Sequence, residues 1–324
     1  MPRALLVPFV LALALLAACS GRPDGGAKYR IAVIPKGTGH EFWQAVAKGA
    51  RAADAELADL EIVWKGPAGE GDTGAQIALV ESFLADGVHG LCLAPLDARA
   101  LVAPVRQALR RNVPVVVFDS GLAEPGLGIV SYVATDNRRG GELAGEHLAA
   151  LLHGKGRVLV LRYQVGSEST EAREAGCLAA LARAPGIEVV SSDRHGGPDE
   201  AKAVEVSENL LATFGDRLDG VFCSNESSTA GMLAALQRDP RRLAGRIKLV
   251  GFDSSAVLAQ GLRNRTVHGI VLQDPVGMGH QAVHAMHKRL TGQPVPARIP
   301  TGEVLATPEN LDQPRVRALL FPGS

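Results

Sequence analysis

The chain has 324 residues, 46% of them apolar and 21% charged, a balance that describes a folded globular protein and excludes an extended disordered one. Lysine plus arginine and aspartate plus glutamate are equal at 34 each, so there is no basic surplus of the kind that grips a nucleic-acid backbone.

The first residues address compartment. Arg3 is followed by an uncharged apolar run from Ala4 to Ala18, then Cys19, Ser20 and Gly21. A charged start, a short apolar stretch and small residues before a cut site predict a secretory signal over residues 1–18. The run falls short of the roughly 20 residues a membrane-spanning helix needs. Cysteine directly after Leu16-Ala17-Ala18 resembles the bacterial lipobox, which implies cleavage before Cys19 and a lipid on its sulfur. An ordinary signal peptide with a coincidental cysteine is the alternative. Residues 19–28, rich in Ser, Gly, Pro and Asp, read as a flexible tether. Of the remaining cysteines, Cys92 and Cys223 lie in apolar runs, where a buried free thiol is the default; one disulfide among Cys92, Cys177 and Cys223 stays open. No Cys/His spacing matches a zinc signature, and neither a metal nor a cofactor is expected.

Next come short apolar, β-branched runs: Ile31–Ile34, Glu61–Trp64, Gly90–Leu93, Val113–Phe118, Arg157–Leu161, Ile187–Val190, Gly220–Cys223, Lys248–Phe252 and His268–Leu272. They lack helical spacing and read as buried strands of parallel sheets. Between them run helical patterns. Asp97 can cap a helix carrying Leu101, Val102, Val105, Ala108 and Leu109 on one stripe. Asp136 or Asn137 can start another, with Leu143, Ala144, His147, Leu148 and Leu151 on one face. Asp199–Phe214, Ser227–Arg238, Ser254–Arg263 and Gly277–Leu290 continue the alternation. Repeated βα units mean open parallel sheets with helices on both faces. Two similar series, split near Asp136, predict an α/β fold of two Rossmann-like lobes.

In open α/β sheets ligands bind beyond the carboxyl ends of the strands. The polar residues there are Lys36, His40 and Glu41 after the first strand, Asp119-Ser120, Arg162-Tyr163-Gln164, Ser224-Asn225-Glu226, Asp253, and Gln273-Asp274. Asp, Asn, Gln and Arg can each address two neighbouring hydroxyls. Asp, Asn and Ser after strands are equally ordinary helix caps, and Asp136 and Ser254 are read as caps. Phe42-Trp43 is harder to explain that way in a chain with only 4% aromatics. Two readings stand for the pair: a wall against the apolar face of a ring, or core packing at a helix start. An enzyme is disfavoured. The third glycine of a dinucleotide motif is missing after Gly37 and Gly39, no P-loop or G-x-S-x-G appears, and His40-Glu41 does not continue as H-E-x-x-H. A DNA-binding regulator would need a helix-turn-helix where the signal and tether stand.

Taken in order, Ile34–Trp43, Val115–Asp119, Val133–Asn137 with Gly140-Gly141, Ser169–Gly176, Val221–Asn225, Val250–Asp253 and Val271–Gln273 resemble the pocket segments of ribose-type periplasmic binding proteins across nearly the whole mature chain. The resemblance implies a type I periplasmic binding protein that captures a small polar, sugar-like solute between its lobes for the permease of an ABC importer. It would act in the periplasm or cell envelope as a monomer, tied to the membrane only through the lipid on Cys19. A receptor feeding a sensor kinase or chemotaxis system is the alternative. By the resemblance, His40, Phe42, Trp43 and Asp119 would line the pocket from the first lobe, and Arg173, Asn225, Asp253 and Gln273 from the second lobe and hinge; Lys36 is an added charge. Lobe crossings near Ala134, Gln273 and Leu305 would make one lobe of 29–134 plus 274–305 and another of 135–273 plus 306–324. The pattern departs from ribose binders at Ser120, where they carry arginine, at His40 and Glu41, where they carry asparagine and proline, and near Pro198, where a ring-covering aromatic is absent. Those changes argue against ribose, and Lys36, Arg162 and Arg173 would admit an acidic or phosphorylated sugar.

Overall fold

The computed structural model describes residues 28–321. The signal-peptide and Cys19 expectations lie outside the described residues.

The first lobe is built from β1 (Tyr29–Ile34), α1 (Glu41–Glu56), β2 (Leu60–Trp64), α2 (Thr73–Ala85), β3 (Gly90–Leu93), α3 (Val102–Arg110), β4 (Val115–Phe118) and β5 (Ser131–Ala134). The second follows with α4 (Asn137–Leu151), β6 (Lys155–Leu161), α5 (Glu168–Leu181), β7 (Gly186–Ser191), α6 (Glu200–Phe214), β8 (Gly220–Cys223), α7 (Glu226–Arg238), β9 (Lys248–Phe252), α8 (Ala256–Arg263) and β10 (Gly269–Gln273). The chain then supplies α9 (Pro275–Leu290) and β11 (Arg298–Pro300) to the first lobe, and β12 (Glu303–Ala306) and α10 (Pro314–Leu320) to the second.

The sheet orders are β2-β1-β3-β4-β5-β11 and β7-β6-β8-β9-β10-β12. Both are parallel except at β10–β12. The short runs are β-branched because both faces of each sheet are covered by helices. In β1, Ile31 and Val33 join the core under α1 and α9, while Ala32 and Ile34 join the core under α2 and α3. In β6, Leu159 and Leu161 face one helical layer and Val158 and Val160 the other. Burying each such side chain contributes about 1.5–3 kcal/mol, so the strands are anchored and their carboxyl ends become a fixed platform.

The third passage between lobes corrects the expectation at Leu305. Leu305 pairs with Val271 inside the second sheet, and Thr301 still bonds back to Ala134 of the first lobe. The crossing is therefore at Thr301-Gly302, where Gly302 takes φ +79°, a left-handed conformation that glycine adopts at little steric cost. The strands β5, β11 and β12 were not among the apolar runs; they are short and lie toward the sheet edges. Among the described residues, Cys92, Cys177 and Cys223 are all free and buried, and burial pushes all three thiols up.

Candidate functional site

Both sheets aim their carboxyl ends at one cleft. In each sheet the order reverses beside the first strand of the lobe, the switch point at which such folds leave a crevice. Lys36, His40, Phe42, Trp43, Asp119, Arg173, Asn225, Asp253 and Gln273 all line this cleft, joined by Glu70, Tyr163, Ser169, Thr170 and Glu226. Its cavity volume is about 30 Å³, well below that of a pocket open to a whole ligand.

From the first lobe, Lys36 leaves β1 buried and cationic. Its Nζ lies 3.0 Å from Asp119 Oδ2 and donates to Ser167 Oγ at 3.3 Å and Ser169 Oγ at 3.1 Å. Asp119 turns off β4 with φ +61°, and Asp253 turns off β9 with φ +67°. Aspartate tolerates this region better than most residues. The two lobes thus present one carboxylate each from the same kind of strand-end turn: Asp119 N bonds Val133 O, and Asp253 N bonds Val271 O.

Glu70, in the loop after β2, is the hub on that side. It pairs with His40 Nδ1, accepts from Trp43 Nε1 at 2.8 Å, and accepts from Tyr163 Oη of the second lobe at 2.7 Å. Burial works against the His40 imidazolium, but the hydrogen bond and charge of Glu70 outweigh it, with help from Glu226 and Asp253, and His40 is raised to about 9. Burial also opposes the Glu70 carboxylate, yet the contacts with His40, Lys36 and Tyr163 hold it below its ordinary range. Phe42 and Trp43 meet edge to face at 4.9 Å. They belong to the core of the first lobe and also line the cleft, so the two readings of the pair describe two sides of the same rings.

From the second lobe, Arg173 is buried on α5 and stacks over Phe252 at 4.0 Å. It donates to Asn137 Oδ1 at 2.8 Å and to Ser224 O at 3.1 Å, and lies 3.5 Å from Asp253 Oδ2. Gln273 Nε2 donates to Asp253 Oδ1 at 2.6 Å. Gln273 Oε1 is buried and has no hydrogen-bond partner among the described residues. Glu226 opens α7, and its carboxylate accepts from the backbone N–H groups of Glu41 and Phe42 at 3.3 and 3.1 Å. An acid of the second lobe thereby caps a helix of the first, where the helix dipole favours negative charge. Burial nonetheless pushes Glu226 up to about 7.

Two expectations change in detail. Asn225 reaches the cleft, but its side chain is engaged in a capping box: Oδ1 accepts from Ser228 N and Oγ, and Nδ2 donates to Ser227 Oγ. The cap of α8 is Ser255, which accepts from Leu258 N, while Ser254 donates to Leu319 O. Asp136 caps α4 as read. Arg162 does not line the cleft: it is held by Glu174 at 3.0 Å and by Ser192 O.

A family model described as a periplasmic binding protein domain matches residues 31–294. The chain belongs to the periplasmic binding protein family. It is 31% identical over 297 residues to a D-ribose/D-allose-binding protein of Pseudomonas aeruginosa, covering 88% of this chain and 91% of that one. The solved solute-binding protein of an ABC transporter from Agrobacterium vitis, with bound D-fucose, superposes at TM-score 0.86 with 31% identity over 90% of this chain and 99% of that one. A carbohydrate-transporter binding protein from Agrobacterium radiobacter in complex with D-arabinose gives 0.85 and 29%, covering 91% and 99%. These relatives are binding proteins, not enzymes, and the family places them in the periplasm.

For this periplasmic binding protein, the cleft residues missed in the sequence are instructive. Glu226 and Tyr163 stand in the strand-end segments Ser224-Asn225-Glu226 and Arg162-Tyr163-Gln164, and the cleft takes them alongside Asn225 and in place of Arg162. Glu70 lies after the strand ending at Trp64, whose carboxyl end, like that of Gly90–Leu93, is absent from the strand-end set. The same strand-end rule, applied there, reaches it.

Proposed function

We propose that the protein captures a neutral monosaccharide or a closely related polyol between its lobes and delivers it to an ABC permease. The observation that carries this reading is the charge balance of the cleft. Each cation lining it, Lys36, His40 and Arg173, already faces a carboxylate: Asp119, Glu70 and Asp253. Among the described residues that line the cleft, no cation is left for a carboxylate or phosphate on the solute, so the acidic-sugar reading loses its support. What the cleft offers instead is paired carboxylates, serine and threonine hydroxyls, and the free acceptor Gln273 Oε1, a set suited to hydroxyls that donate and accept. The relatives named for D-ribose/D-allose, D-fucose and D-arabinose bind neutral sugars.

The remaining parts of the reading come from the N-terminal sequence: export directed by residues 1–18, a lipid anchor on Cys19, and a tether ending at Lys28. The protein works as a monomer, since one cleft between two lobes of one chain needs no second copy.

The test is a thermal-shift screen of the purified protein against neutral aldoses, ketoses and polyols, with sugar acids and sugar phosphates alongside. A ligand of the folded state raises the melting temperature by mass action. A rise with a neutral sugar or polyol and none with the charged series is the expected result. A rise confined to charged sugars overturns the solute assignment.

A further inference from the structure

On the outer side of the first lobe, away from the cleft, α1 and α9 pack unusually close. A methyl at Gly49 would lie 1.9 Å from Val276 O, and one at Gly279 would lie 2.1 Å from Val46 O. This approach brings the end of α1 against the middle of α9. His280 and His284, four residues apart on α9, stand on one helical face, with ring centroids 4.3 Å apart. Both aim Nε2 at one carboxylate, that of Glu56, the last residue of α1: His280 at 3.0 Å and His284 at 2.9 Å from Oε2. The three donor atoms lie within 4.8 Å of one another. Tetrahedral coordination with metal–ligand bonds near 2.0–2.1 Å requires donor separations of roughly 3.4 Å, which small side-chain rotations supply here. Among the described residues no other grouping of three histidine, cysteine or carboxylate donors converges this way.

We propose that Glu56, His280 and His284 form a binding site for a divalent late transition metal of the zinc class, independent of the sugar cleft. Two imidazoles and one carboxylate make the donor set of open zinc sites, with water in the fourth position. Imidazole nitrogen selects such metals over calcium and magnesium, which want oxygen ligands. The side chains are half-buried to exposed, so an ion can enter from solvent. His287 and Asp59 form a separate pair at 2.8 Å one turn further along, outside the triad. Glu56 lies 14 residues beyond Phe42 on α1, about 20 Å along the helix axis. The metal would therefore staple α1 to α9 without touching the solute. Spacing along the chain does not reveal the triad because Glu56 comes from a helix distant in sequence.

The experiment uses metal-stripped protein at pH 7.5, with zinc binding followed by competition against a chromogenic chelator and by thermal shift. Cobalt(II) serves as a spectroscopic probe, because tetrahedral histidine-bound cobalt shows intense visible d–d bands at longer wavelength, whereas the octahedral aqua ion absorbs only weakly. Wild type should take up one zinc with a rise of several degrees in melting temperature and give the cobalt bands. The H280Q/H284Q and E56Q variants should lose both, while H287Q, outside the triad, keeps them. These positions are partly solvent-exposed, and a melt without metal checks that each variant folds. No zinc uptake by wild type, or equal uptake by H280Q/H284Q, overturns the site. Sugar-induced thermal shifts measured in parallel report on the cleft separately.

Discussion

At the scale of residues, the cleft holds charges that are costly alone and tolerable in pairs. Arg173 and Asp253 are both buried, and burial raises Asp253 while Arg173 counters it. Removing one partner of a buried pair leaves an uncompensated charge and costs about 3–5 kcal/mol. Arg173→Ala should therefore lower the melting temperature by roughly 10 °C as well as weaken sugar binding. Asp253→Asn, which keeps the shape, should spare more of the fold. Calorimetry of the two variants checks this, and an unchanged melt for Arg173→Ala would contradict it. His40 and Glu226 set the pH dependence. The folded-state pKa of His40 is raised from 6.5 to about 9, so its contribution is full below pH 6.5 and fades as pH climbs through 9, by at most about 3 kcal/mol. Glu226 is raised from 4.5 to about 7, so the folded state holds its proton longer than the unfolded one and stability also falls as pH rises between those values. Both act in the same direction. Melting temperatures should be higher at pH 6 than at pH 9, and His40→Asn should flatten the decline above pH 7. An undiminished alkaline decline in that variant would assign the effect elsewhere.

At the scale of elements, glycines decide how the pocket helices approach. A methyl at Gly141 on α4 would lie 1.9 Å from Arg173 O, and one at Gly176 on α5 would lie 2.1 Å from Arg138 O. The α4–α5 contact is thus backbone against backbone, and it sets where Arg173 enters the cleft. Gly141→Ala should destabilise by about 1–3 kcal/mol, as overpacking does, and should also weaken sugar affinity by displacing α5. Isothermal titration of the variant at a temperature where it is folded tests the second part; native affinity there would show that α5 holds its place without α4. The Gly140-Gly141 pair was visible as part of a family pattern. Its physical reason, a carbonyl of α5 pressed against α4, was not.

At the scale of the whole molecule, the lobes meet through reciprocal caps. Glu226 of the second lobe accepts from the start of α1, and Glu41 of the first accepts from Ala256 N at the start of α8 at 3.2 Å. Tyr163 reaches across to Glu70, and Gly121 N donates to Glu168 at 2.8 Å. These contacts define the closed arrangement, and a solute that bridges the two sheets adds to them by differential affinity for it. Sugar should shrink the radius of gyration in small-angle scattering. Glu226→Ala should require more sugar for the same contraction, and an identical titration curve would remove Glu226 from closure.

The strand runs, the βα alternation and the split into two lobes were legible because a strand buried on both faces must be apolar along its length. The polar strand ends were legible because ligands gather there in open sheets. Lys36, Asp119, Arg173, Asp253 and Gln273 could be picked out one by one from their places along the chain. Their partners could not. Lys36 answering Asp119 and two serines, Glu70 gathering His40, Trp43 and Tyr163, Asn225 spending its amide on a cap, and the final crossing at Thr301-Gly302 all join residues far apart in the chain or depend on a backbone angle. The pattern of side chains along the sequence determined which surfaces must be buried. The tertiary fold alone decided which charges meet, because ion pairing depends on distance in space, and the proposal of a neutral solute rests on that pairing.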